Sequence, residues 1–105
     1  MTIAELGQIL QTTELPVAYL AFDASEAPAM PFIVYQETGS DNFGADNIVW
    51  FSGTRIQIDL LCVRKSRSTE ELLETALTNN GIFWERVVVF DDNEDYYRST
   101  YEIVI

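Results

Sequence analysis

From Arg55 to Val63 the chain alternates with a period of two. Ile56, Ile58, Leu60 and Cys62 fall on one parity; Arg55, Gln57, Asp59, Leu61 and Val63 fall on the other. That is the pattern of a strand with one face turned to a core. A strand of this kind is not stable alone. It needs neighbours to satisfy its main chain and another layer to cover its apolar face. The rest of the chain has to supply both.

Two segments read as helices. Ile3 to Gln11 carries Ile3, Leu6, Ile9 and Leu10 at helical spacing, and Thr2 with Glu5 has the spacing of a capping box. Gly7 weakens this helix by up to about 1 kcal/mol relative to alanine, so it depends on packing. The second helix follows Ser68 and Glu71, read as another capping box. Its expected buried stripe is Leu72, Leu73, Ala76 and Leu77, and Asn79-Asn80-Gly81 is its stop. Glu70, Glu71 and Glu74 crowd its first half, where the positive helix end favours them.

The remaining strands are expected at Leu15–Phe22, Phe32–Glu37, Ile48–Arg64, Ile82–Phe90 and Tyr96–Ile105. Pro16 places the first at an edge or a strand end, because proline has no N–H to donate. Ser52-Gly53 is expected to break or bend the third. Asp23 to Pro31 and Gly39 to Asn47 read as loops. The order α-β-β-β-α-β-β indicates one α+β domain, with two short helices packed on one face of a mostly antiparallel sheet. No internal repeat or linker divides it.

Composition narrows the chemistry. The 105 residues include no histidine and one cysteine, so no Ser-His-Asp triad, Cys-His pair or internal disulfide can form. Seventeen Asp and Glu stand against six Lys and Arg, a net charge of −11. Such a surface repels phosphates and anionic lipid heads over roughly 8 Å at physiological salt. No basic leader and no apolar run of bilayer length appears, so the expected product is soluble and intracellular, with no specific nucleic-acid or membrane partner. These features argue against an enzyme, and no cofactor is expected.

Four clusters are candidate sites. Asp41, Asn42, Asp46 and Asn47 lack calcium-hand spacing and are expected to make turns, while Phe43 among them either folds back as a plug or is presented to a partner. Arg64, Lys65 and Arg67 either pair with local carboxylates or anchor a neighbouring subunit. Asp91, Asp92, Glu94 and Asp95 form an acidic hairpin tip, which discourages edge pairing or lines a pore. Cys62 is a small buried apolar residue. Large residues on both faces of several strands, and Val87, Val88, Val89 and Phe90 in succession, suggest burial on both sides of the sheet and hence oligomerisation.

Leu15-Pro-Val-Ala-Tyr-Leu-Ala-Phe22, Pro31-Phe-Ile-Val-Tyr35, Ser40-Asp-Asn-Phe-Gly-Ala-Asp-Asn47 and Gly81-Ile-Phe83 resemble segments of small tail-completion, tail-terminator or head–tail joining proteins of long-tailed bacteriophages and prophages of Gram-positive bacteria. The resemblance covers nearly the whole chain, and Asp41 to Asn47 is its most specific part. It implies a non-enzymatic virion structural protein at the head–tail junction or tail end, made in the host cytoplasm. It also implies assembly as a ring, typically a hexamer, contacting tail-tube and head-connector proteins. Asp41, Asn42, Phe43, Asp46, Arg64, Lys65 and Arg67 then become candidate interface residues. Asp91, Asp92, Glu94 and Asp95 become candidate channel-facing acids, past which DNA slides without sticking. Two other classes are open at this level: an acidic DNA mimic that inhibits a DNA-binding enzyme, and a generic α+β adaptor.

Overall fold

The computed structural model describes residues 1–23, 27–45, 48–91 and 95–105, with side chains at all of these except 43–45, 48–51 and 91. All but the last residue of the alternating segment, Arg55 to Cys62, lies within β3 (Ile48–Cys62), the middle strand of a five-stranded sheet. β2 (Phe32–Ala45) and β5 (Tyr96–Val104) flank it, both antiparallel; β1 (Val17–Tyr19) and β4 (Trp84–Asp91) form the outer strands. β1 runs parallel to β2 and pairs only with Ile33 to Tyr35. Helices α1 (Ile3–Gln11) and α2 (Arg67–Asn79) complete the chain. The fold is α+β in the expected element order.

The register explains where the core sits. Ile33 and Tyr35 on β2, Ile56, Ile58, Leu60 and Cys62 on β3, and Ser99, Tyr101 and Ile103 on β5 all fall on one face. Leu6 and Leu10 of α1, and Leu73 and Leu77 of α2, close over it. The capping box of α1 forms as expected: Thr2 accepts the Glu5 N–H, and the Glu5 carboxylate accepts the Thr2 N–H. The helix also packs as Gly7 requires. Tyr35 lies against Gly7, where an added Cβ would come within 2.6 Å of its hydroxyl.

α2 ends as expected and begins elsewhere. The Ile82 N–H bonds the Leu77 carbonyl and the Gly81 N–H bonds that of Thr78, with Gly81 at φ 71° and Ile82 buried. That pair of bonds is the Schellman stop. At the other end Ser66, not Ser68, is the cap, and its hydroxyl accepts the Thr69 N–H. The buried face is Glu70, Leu73, Glu74 and Leu77, whereas Leu72, expected in the stripe, is half exposed. Both stripes have helical spacing. Partners on the sheet decide between them, as the next subsection shows.

Three strand expectations are corrected. The strand expected at Leu15–Phe22 shrinks to Val17–Tyr19, because Leu20 turns to φ 70° and Pro16 precedes it. The stretch expected to loop from Gly39 is strand through Ala45, so Asp41 and Asn42 are strand residues; Asp46 and Asn47 lie outside the described residues. β3 continues as strand through Ser52-Gly53, and the irregularities fall elsewhere: Thr38 is the extra residue on β2 between Glu37 and Gly39, and Trp50 is the extra residue on β3 opposite Phe43 and Gly44.

The long β2–β3 pairing makes an arm. β5 accompanies β3 only as far as Arg55 opposite Val104, with Ile105 bonded to Thr54 just beyond. From there Asp41–Ala45 and Ile48–Gly53 continue as a two-stranded ribbon. The long axis of the molecule reaches 48 Å against 28 and 26 Å.

Gly53 lies where the arm leaves the sheet. A Cβ there would meet Val104 Cγ1 at 2.6 Å and the Asp41 carbonyl oxygen at 2.7 Å. Gly53→Ala is expected to destabilise the chain by about 1–3 kcal/mol, read as a lower urea midpoint. Adding Val104→Ala should restore only part of it, because the Asp41 main chain cannot withdraw without loosening the β2–β3 pairing.

Candidate functional site

Two surfaces of this fold carry features beyond packing: a polar cluster beneath α2, and the sheet face opposite the helices. In the cluster, Glu70 and Glu74 point from α2 toward the sheet, with side chains 1% and 8% exposed. Buried carboxylates are stable only when paired and hydrogen-bonded. Arg67 binds Glu74 with both terminal nitrogens, at 2.9 and 2.8 Å. Arg86 of β4 donates to Glu74 Oε2 at 2.5 Å, and Tyr101 Oη of β5 donates to the same oxygen at 2.7 Å. Glu70 accepts from Lys65, from Arg67 at 3.3 Å and from Ser99 Oγ at 2.7 Å. Among the described residues no buried side-chain polar atom lacks a partner.

The electrostatics follow from these contacts. Burial opposes the charge on Glu74, but hydrogen bonds from Arg67, Tyr101 and Arg86 more than offset it and hold the carboxyl at about 2. Glu70 is also held below the usual carboxylate range: burial is outweighed by hydrogen bonds from Lys65 and Ser99. Burial, then the bond to Glu74, raises the Tyr101 phenol. Burial pushes the Cys62 thiol up as well, as suits an unreactive core residue. The arrangement is a saturated structural clamp, with each ionised oxygen already engaged.

This clamp takes in part of the basic cluster. Lys65 and Arg67 bind Glu70 and Glu74 within the chain, and Arg64 is exposed beside them. Asp41 is exposed on the arm, 3.8 Å from Arg55, and Asn42 is exposed next to it. The side chain of Phe43 lies outside the described residues, as does all of Asp46. Asp91 ends β4, Asp95 is exposed at φ 58°, and Asp92 and Glu94 lie outside the described residues. The candidate residues that are described thus fall at separate places: the arm, the loop before α2 and the β4–β5 turn. They do not converge on one cleft.

The second surface was not anticipated as a unit. Opposite the helices, Phe32 and Val34 of β2, Leu61 of β3, and Val87 and Val89 of β4 share a face that no element of the described residues covers. Leu20, Phe22, Phe32, Val34, Leu61 and Arg98 line a shallow cavity of about 290 Å³ on it, with the Phe22 and Phe32 rings edge to face at 5.2 Å. Asp59 at its margin accepts from Thr100 Oγ1 and Gln57 Nε2. Leu61, apolar on the polar parity of the alternation, was the sequence signal for it. No protein-family profile and no curated protein matches the chain.

Glu74 titrates near 2 in the folded chain against an ordinary value of 4.5. Its contribution is complete above pH 4.5 and is lost as pH falls toward 2. The loss is on the order of 3 kcal/mol, and Glu70 adds to it in the same direction. Urea midpoints are expected to be level from pH 7 to 5.5 and to fall steeply below 4.5. Glu74→Gln should lower the neutral-pH midpoint and flatten the acid slope.

Proposed function

We propose that this chain is a non-enzymatic structural subunit of a long-tailed phage virion. It terminates the tail tube or joins the tail to the head connector, and it assembles as a ring. The observation that carries the reading is the one-sided cover of the sheet. Helices seal one face, apolar residues stand open on the other, and the β2–β3 arm reaches past the body. A ring requires two different patches on each copy, because its contacts are head-to-tail. The open face and the arm are two such patches. The described part of the resembling stretch, Asp41 to Ala45, falls on this arm.

Two of the acids are withdrawn from the array that a DNA mimic would display. Mimicry uses an exposed array of carboxylates. Here Glu70 and Glu74 are drawn inward and neutralised by Lys65, Arg67 and Arg86. In this reading the exposed Asp95, just before β5, faces the channel, where like-charge repulsion lets DNA pass.

Deleting the gene is expected to leave DNA-filled heads together with tails that are unattached or of abnormal length, scored by electron microscopy of lysates. Normal virions from the deletion refute the proposal. Purified protein added to tail tubes should cap their ends.

A further inference from the structure

β4 is an outer strand, and its main-chain groups on the far side from β5 have no partner among the described residues. Both of its faces are apolar in the open. Val87 is 62% exposed, Val89 41%, Val88 37% and Phe90 43%. Val87 and Val89 share the uncovered face, while Val88 and Phe90 lie on the helix face beyond the reach of α2. An edge of this length and polarity is normally blunted by charge, proline or a bulge, and none of these interrupts Val87 to Phe90.

We propose that β4 pairs antiparallel with β4 of a second copy of this chain, joining two sheets across a two-fold axis. The first argument is length. The opposite edge of the sheet offers β1, three residues bounded by Pro16 and by Leu20 at φ 70°, against eight in β4. Head-to-tail pairing of β4 with β1 leaves most of β4 open, whereas β4 with β4 covers it.

The second argument is charge. Each copy carries −11, so self-association is least opposed where the surface is locally neutral. Trp84 to Phe90 holds one acid, Glu85, and one base, Arg86. A two-fold axis perpendicular to the sheet keeps the helices of both copies on one side, so residues pair only with others of the same parity. Centred on Val88, the pairing sets Glu85 opposite Asp91, like against like. Centred on Val87, it sets Trp84 opposite Phe90, Glu85 opposite Val89 and Arg86 opposite Val88. No carboxylate then faces another, and an aromatic pair is gained. The Val87-centred register is the one selected.

This contact is isologous and closes at two copies. It is therefore distinct from a ring contact and does not rest on the tail-protein reading. The register makes the test specific, because substitutions on the same exposed face are predicted to differ. Sedimentation equilibrium of the full chain should show a dimer whose dissociation constant falls as salt is raised, since screening relieves the repulsion between acidic copies. Val87→Glu sets two carboxylates opposite each other at the axis and should weaken the dimer about tenfold or more. Val89→Lys sets a lysine opposite Glu85 of the second copy and should keep or tighten it. Unchanged far-UV circular dichroism shows that both variants fold, as expected for exposed positions. A monomeric wild type, a dimer indifferent to Val87→Glu, or equal weakening by both variants overturns the proposal.

Discussion

Glu74 stands where α2, β4 and β5 meet, and the docking of the second helix depends on it. A single carboxylate there takes hydrogen bonds from Arg67 on its own helix, Arg86 on β4 and Tyr101 on β5. Removing any one donor leaves a buried charge short of compensation, which is costlier than never having buried it. Glu70, one turn earlier, repeats the arrangement with Lys65, Arg67 and Ser99. The helix is thus located by directional bonds as well as by Leu73 and Leu77. Trp84 completes the corner, edge to face with Tyr101 at 5.6 Å and donating to Thr78 at 3.0 Å.

With the helices committed to one face, the other is left to whatever the chain meets. That asymmetry unites the shallow apolar cavity, the open β4 edge and the projecting arm. Each is a place where the fold stops short of satisfying itself. Apolar area open to water favours association, and unpaired strand groups give it direction. The acidic surface restrains both, so the strength of any contact depends on ionic conditions and on how well its charges are matched.

Several features were legible in the residues because they are local. The capping box of α1, the Gly81 stop of α2 and the alternation from Ile56 to Cys62 each depend on neighbours a few positions apart. The errors share the opposite property. Choosing Glu70 and Glu74 over Leu72 for the buried face of α2 required Arg86, Ser99 and Tyr101, which lie 12, 29 and 27 positions from their partners. The polar run from Gly39 to Ala45 looked like a loop, yet β3 holds it as strand by pairing. Turn-forming residues set a preference, and a continuous partner strand overrides it.

What this sequence determined by itself was therefore the kind of layers: a period-two strand that must bury one face, two amphipathic helices to cover it, and an excess of acid with no histidine chemistry. What only the tertiary structure decided was which side of α2 turns inward, how far β2 and β3 run together, and which face and edge remain open. The physical reason lies in range. Periodicity and capping are set within a turn or two of backbone, whereas buried charge and strand pairing are settled by groups that the fold brings together from distant parts of the chain.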